Sequence, residues 1–234
     1  MPIYRQFCPV AKAAEIFAER WTPLILRELL MGSHRFSEIE AGVPRISKSL
    51  LTQRLRFLER AGLVERRPSA HGHGAEYHLT QAGQELYDVV EQLGIWGQRW
   101  ANLEIGPDDI DPNLLMWDMR RRIHREQLPD HRVVVQFDFT GSREGRYWLI
   151  LERHDVSVCL DYPGYDPDLF VTADTLSFHQ IWMGQLSFAQ ALRHDHLRIN
   201  GPRELAHAFP SWLALNMFAH IEPVRDSPVS LASR

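Results

Sequence analysis

The chain has 234 residues, 44% hydrophobic and 24% charged, with a formal net charge of −4 at neutral pH. That length accommodates one large domain or two small ones with separate cores, and the balance is that of an ordinary globular protein. No run of about 18 apolar residues offers a membrane span, no secretory signal opens the chain, and two distant cysteines, Cys8 and Cys159, argue for a reducing cytoplasm over a disulfide scaffold.

A first helix is expected over about residues 9–19. Cys8 stands just before it, where unsatisfied helix N–H groups favour a thiolate, so Cys8 is the redox candidate. No resolving cysteine is nearby, and a small apolar filler at an interface is the competing reading. Thr22 and Pro23 read as the N-cap and first position of a second helix, which Leu24, Ile25, Leu26, Leu29 and Leu30 make apolar on most sides. Ser37 and Glu40 form a capping-box pattern for a short third helix, stopped by Gly42 and Pro44. Ser47 caps a fourth, from Lys48 to about Ala61, ended by Gly62.

In that fourth helix Leu51, Leu55 and Leu58, with Leu63 beyond it, recur at helical spacing and form an inward stripe. Lys48, Ser49, Thr52, Gln53 and Arg56 form the opposite stripe, which donates to base edges and phosphates and carries no acid. A capped short helix, a tight turn and such a two-faced helix make a helix-turn-helix whose second helix fits a major groove. Residues 63–67 and 76–80 alternate around a Pro-, His- and Gly-containing tip and predict the two strands of a wing. Residues 45–67 hold seven basic side chains (Arg45, Lys48, Arg54, Arg56, Arg60, Arg66 and Arg67) against Glu59 and Glu65, whereas residues 106–234 hold 13 basic and 18 acidic groups. Basic charge is thus concentrated where a duplex would lie. Arg45, Ser47, Lys48, Ser49, Thr52, Gln53 and Arg56 are the groove candidates, with Arg66, Arg67 and the wing tip on phosphate or minor groove.

After the wing, Thr80 opens a long helix to about residue 103. Leu86, Val90, Leu93, Gly97 and Trp100 follow a 4-3-4-3 spacing, widened by Val89, Trp96 and Leu103. A three-helix core cannot cover so long a stripe, which points to dimerisation. Residues 106–112 are a breaker-rich acidic joint, placing a domain boundary between 1–105 and 112–220. Asp111 and Pro112 start a helix to about residue 127. Its Arg120, Arg121, Arg122 and Arg125 suggest either a second nucleic-acid contact or, favoured by the packing stripe of Met116, Trp117, Met119 and Ile123, a solvated or interdomain face. Segments 133–139, 147–152, 156–160 and 169–173 read as consecutive strands of an antiparallel meander. Asp174 caps a helix, Ser187 with Gln190 opens another, residues 197–201 form a last strand, Pro202 starts terminal helices, and 221–234 is a loose tail. The expected class is α+β.

The stretches Cys8-Pro9-Val10, Arg20-Trp21-Thr22, residues 24–29, 35–39, 51–55, 58–64 and 76–80 together resemble the HxlR family of bacterial winged-helix transcription regulators over about residues 5–103. The resemblance implies a homodimer that binds a palindromic operator in double-stranded DNA. It also implies that a cysteine at the place of Cys8 can sense oxidants or electrophiles, as in some relatives. The His- and Gly-rich wing tip departs from the family, which often has prolines there. Residues 168–174, Trp182-Met183-Gly184, Leu192 and residues 197–202 resemble the sterol carrier protein type 2 fold over about 112–220. That resemblance implies an apolar tunnel for a hydrophobic small molecule, with Phe137, Phe139, Trp148, Phe178, Ile181, Trp182, Phe188, Leu192 and Trp212 as pocket candidates. The competing reading is that they fill a solid core.

Twelve histidines invite a metal, yet His71/His73 and His194/His196 lack a third ligand at recognised spacing, and no phosphate-binding or nucleophile motif is present. No metal, cofactor or catalytic residue is expected, and the chain is not read as an enzyme. The reading is a cytoplasmic, dimeric DNA-binding regulator modulated by a hydrophobic ligand. The alternatives are a carrier of lipid or hydrophobic molecules whose winged helix only dimerises, and a Cys8-based sensor.

Overall fold

Two hydrophobic clusters organise the chain, one in each of two units, Met1–Gly94 and Ile95–Arg234. The computed structural model describes residues 4–69, 74–101, 105–106 and 109–224. The wing tip with His71 and His73, Leu103, and the tail from residue 225 lie outside the described residues.

In the first unit, helices α1 (Pro9–Phe17), α2 (Thr22–Leu30), α3 (Phe36–Gly42) and α4 (Lys48–Arg60) precede an antiparallel hairpin of β1 (Val64–Pro68) and β2 (Ala75–Leu79). Arg35 bridges Glu76 as a third, one-residue rung, and α5 (Gln81–Gln84) and α6 (Tyr87–Trp96) follow. This is a winged helix-turn-helix. Ile25, Leu26, Ile39, Leu51, Leu55 and Leu58 are fully buried, each contributing about 1.5–3 kcal/mol, so the 3.6-residue stripe of α4 packs inward as expected.

Three local expectations are corrected. Helix α2 begins at Thr22 itself, with Trp21 as N-cap at φ +76°, a left-handed conformation rare for a bulky side chain. The capping box of α3 is formed by Arg35 and Glu38, not Ser37 and Glu40: the Glu38 carboxylate accepts the amides of His34 (2.9 Å) and Arg35 (3.0 Å). The same three-residue spacing occurs twice in this stretch, and the register that wins is the one whose acid reaches back to free amides. The long helix of 81–103 is also interrupted. Gly83 packs where a Cβ would lie 2.2 Å from the Leu63 carbonyl, α5 ends after one turn, and Gly97–Ala101 form a π-helical turn. The break turns Leu86 and Val90 onto the unit's own core, while Tyr87, Val89, Leu93 and Trp96 remain exposed.

In the second unit the Asp111 carboxylate accepts the amides of Asn113 and Leu114 and opens α7 (Pro112–Arg121). That helix ends earlier than expected, because Ile123 leaves it to bridge Leu213 and only a 3₁₀ turn, Arg125–Gln127, follows. Strands β3 (Val133–Thr140), β4 (Gly145–Leu151), β5 (Val156–Cys159) and β6 (Leu169–Asp174) lead to α8 (Thr175–Trp182), α9 (Phe188–Arg193), β7 (Leu197–Asn200) and α10 (Arg203–Trp212). The sheet order is β5-β4-β3-β6-β7. The first three strands form the expected meander, but β6 crosses over and pairs with β3 in parallel, so the sheet is mixed. Alternation tells which face a residue takes, not which strand it neighbours. Asp168 docks β6 there: its carboxylate accepts the Val134 amide and its own amide donates to the Val134 carbonyl, both at 2.8 Å. Helices α7 to α10 contribute to one buried cluster on the face of Phe137 and Phe139. Among the described residues no helix is long and apolar enough to cross a membrane.

Candidate nucleic-acid interface

Buried and sheltered charges fix the helices around α4. Glu28, fully buried in α2, accepts from Arg27 (3.1 and 2.8 Å) and from the Ser33 hydroxyl (3.3 Å). Arg27 also donates to the Gly42 carbonyl at the end of α3, at 2.8 Å. A Cβ on Gly42 would come within 1.9 Å of the Glu28 carboxyl carbon, so only glycine lets α3 approach this closely. Arg54 of α4 pairs with Glu19 at 2.8 Å, both largely sheltered, which fastens α4 to the end of α1. The adjacent charges of Arg27 and Glu28 on an apolar helix were the available sign of the first network.

With that seat, Arg45, Ser47, Lys48, Ser49, Gln53 and Arg56 are exposed and Thr52 is half-buried. Ser47 caps the helix by accepting the Leu50 amide at 3.3 Å and lies 3.2 Å from the Ser49 hydroxyl. Thr52 donates its hydroxyl proton to the Lys48 carbonyl at 2.8 Å, which leaves it lone pairs and a methyl group to offer a ligand. Lys48 stands 3.7 Å from Glu40 of α3. On the wing, Arg66 and Arg67 are exposed, and Arg67 holds Glu65 through Nε (3.0 Å) and Nη2 (2.9 Å). Such exposed pairs contribute at most about 1 kcal/mol and exchange readily for a phosphate. The expectation of an acid-free face needs one correction, since Glu59 lies on the outer face in the last turn of α4, and of the seven basic side chains counted there, Arg54 is turned away onto Glu19.

The wing root is held by stacked imidazoles. His34 and His78 lie 4.4 Å apart at 22°, while the Tyr77 amide donates to the His34 carbonyl at 2.7 Å. Glu76 accepts from the Ser69 hydroxyl at 2.8 Å, and that bond, helped by His78 and Arg35, holds its carboxyl below the usual range.

In the second unit, Phe178 meets Phe137, Phe139 and Phe188 with centroids 5.7, 5.5 and 6.3 Å apart, and Phe209 links Phe137 to Trp212. Ile181 and Trp182 are buried in the same cluster. Phe209 and Tyr147 belong to it as well and were not singled out beforehand. Two of the pocket candidates stand elsewhere. Trp148 pairs with Gln136 where Tyr147 pairs with Phe137, so it takes the opposite face of the sheet, edge-on to Tyr162. Leu192 is 44% exposed on α9. The arginine run of α7 is engaged within its own unit: Arg120 donates to the Val156 carbonyl, Arg122 to that of Leu215, Arg125 to that of His154, and Arg121 pairs with Asp118. Cys8 is the half-buried N-cap of α1, between the exposed side chains of Phe7 and Val10.

The model of the HxlR-like helix-turn-helix family matches residues 16–105, and that of the SCP-2 sterol transfer family residues 118–213. YvaP of Bacillus subtilis, an HTH-type transcriptional regulator, is 38% identical over 113 residues, which cover 47% of this chain and 95% of YvaP. The chain belongs to the HxlR-like helix-turn-helix family. A second such relative, Rv3095 of Mycobacterium tuberculosis, is 40% identical over 101 residues, 42% of this chain and 62% of that protein. The reduced form of the transcriptional regulator YodB from B. subtilis is similar over 43% of this chain and all of its own, at 30% identity and a TM-score of 0.37. As an HxlR-like protein, the chain carries a DNA-binding helix-turn-helix of the transcription-regulator type, followed by an SCP-2-like α+β unit.

Proposed function

We propose that this HxlR-like chain is a cytoplasmic, homodimeric transcription regulator that reads a palindromic operator through α4 and its wing. The exposed face of α4 carries the reading. Lys48, Ser49, Gln53 and Arg56 stand on it with Arg45 and Ser47 just before it; Glu59 is the first carboxylate along the helix, and Glu40 of α3 stands 3.7 Å from Lys48, in a chain of net charge −4. Residues 1–105 do the reading and dimerise, Arg66 and Arg67 hold phosphates, and Tyr87, Val89, Leu93 and Trp96 form the dimer seam. Residues 112–220 bind a hydrophobic effector among Phe137, Phe178, Phe188 and Trp182, a role supported by the SCP-2 match and the clustering of these rings.

Two measurements test this. Random duplex DNA at low salt should retard the protein in a gel, with affinity falling steeply as salt rises. No retardation at any salt would leave a hydrophobic-molecule carrier that uses its winged helix to dimerise. A melting screen with fatty acids, acyl-CoA and sterols should find a stabilising compound, worth about 2.7 kcal/mol at a hundredfold excess over its dissociation constant.

A further inference from the structure

A half-open cleft of about 330 Å³ lies at the root of the wing, floored by Leu29 and Leu79 and rimmed by His34, His78, Arg67 and Gln84. Among the described residues no carboxylate lines it. Its polar side chains are oriented from one side only. His34 commits Nδ1 to the Tyr77 carbonyl at 3.1 Å, and His78 commits Nε2 to Glu76 at 3.3 Å, so each ring keeps its second nitrogen. Arg67 commits Nε and Nη2 to Glu65 and keeps Nη1. Glu65 and Glu76 therefore fix these groups without lining the cleft, and the Gln84 amide has no side-chain partner among the described residues.

We propose that this cleft binds a small organic anion: a carboxylate held by Arg67 Nη1 and the Gln84 amide, on a flat apolar body resting against Leu29 and Leu79. A free inorganic anion fits less well, because the leucine floor offers it no donor and would strip its water. The size agrees, since a cavity of roughly 150 Å³ accepts one benzene ring, so this cleft takes a body of one or two rings. The contact with Glu65 leaves Nη1 of the Arg67 guanidinium as a charge-assisted donor for a carboxylate. The site stands apart from the SCP-2-like unit and does not depend on the chain being a regulator.

The test uses the full-length protein without DNA, labelled at histidine, with the ring signals of His34 and His78 assigned through His34→Gln and His78→Gln. Benzoate and 2-naphthoate, spanning the size range, are the probes, with benzamide and inorganic phosphate beside them. At least one of the two carboxylates should move both histidine signals saturably. Benzamide should bind at least about tenfold more weakly, phosphate should leave both signals in place, and Arg67→Gln should weaken the carboxylate by at least about tenfold. Arg67 is exposed, so this variant tests the site without a folding defect. The proposal is overturned if neither carboxylate shifts the two signals, if phosphate shifts them equally, or if Arg67→Gln binds as before.

Discussion

Thr52 spends its only proton on the backbone, so in the proposed complex donation from α4 to base edges falls to Lys48, Ser49, Gln53 and Arg56. Gln53→Ala or Lys48→Ala should each erase discrimination at one or two base pairs, about 1–3 kcal/mol if the contact is bidentate. Arg67→Ala should weaken all sequences alike and lower the salt slope by about one unit. Competition gel shifts against operators changed base by base would separate the two effects, and unchanged preference in the α4 variants would remove α4 from the groove. The exposure of these side chains was legible in the 3.6-residue period of the leucines. The turning of Arg54 onto Glu19 was not, because spacing within a helix says nothing about a charge on another one. His179 was equally silent in sequence. Its Nδ1–H donates to the Thr175 carbonyl at 2.8 Å while Nε2 accepts the Asp111 amide at 3.3 Å, an arrangement open only to the neutral ring. Burial pushes its pKa below the ordinary value of 6.5, against the bond to the Thr175 carbonyl and the nearby Asp111 and Asp174 charges, which raise it. The unfolded chain therefore takes up the proton first: this contribution is complete above about pH 6.5 and is lost as pH falls through the lower, folded value. Urea unfolding of the second unit at stepped pH should show that loss, and His179→Gln should flatten it.

Between elements, the tightest approach is that of α3 to α2. Gly42→Ala would force the buried Glu28 carboxylate off Arg27 and Ser33, and breaking such a network costs about 3–5 kcal/mol. Urea denaturation of the first unit would register it, and a loss below about 1 kcal/mol would mean that Glu28 finds another seat. On α6 the opposite test applies. Leu93 is 48% exposed and packs on nothing essential in its own unit, so Leu93→Glu should leave the fold intact. If α6 is the seam, two carboxylates then face each other in it, sedimentation shows monomers, and operator affinity collapses as the half-sites unlink. A mutant that stays a tight dimer would move the seam elsewhere. Most helix starts were readable from caps and periodicity: Ser47, Thr80, Asp111, Asp174 and Ser187 all cap helices where expected, although those after Thr80 and Asp111 end early. The failures share a cause. The break at Glu85 and Leu86, the box at Glu38 and the side of the sheet taken by Trp148 depend on what lies across from a residue, and that is set by packing and register.

At the scale of the whole chain, the two units are built from contacts of different reach. The first unit is mostly successive short helices and one hairpin, closed by the Arg35–Glu76 rung. The second has at its centre the parallel pair in which Val135 meets Leu169 and Phe139 meets Ala173, so its middle strand stays half-paired until β6 has crossed over. Chain entropy must be given up before that pairing returns anything, and assemblies of distant partners form slowly. Synthesis runs in the same direction, since the N-terminal unit leaves the ribosome first. Pulse-labelled hydrogen exchange during refolding should protect the amides of Leu51, Leu55 and Leu58 before those of Phe137 and Val171, and simultaneous protection would refute the order. With this timing, a newborn chain presents its finished α6 stripe while its sheet is still incomplete, and if α6 is the seam, the half made first chooses the partner.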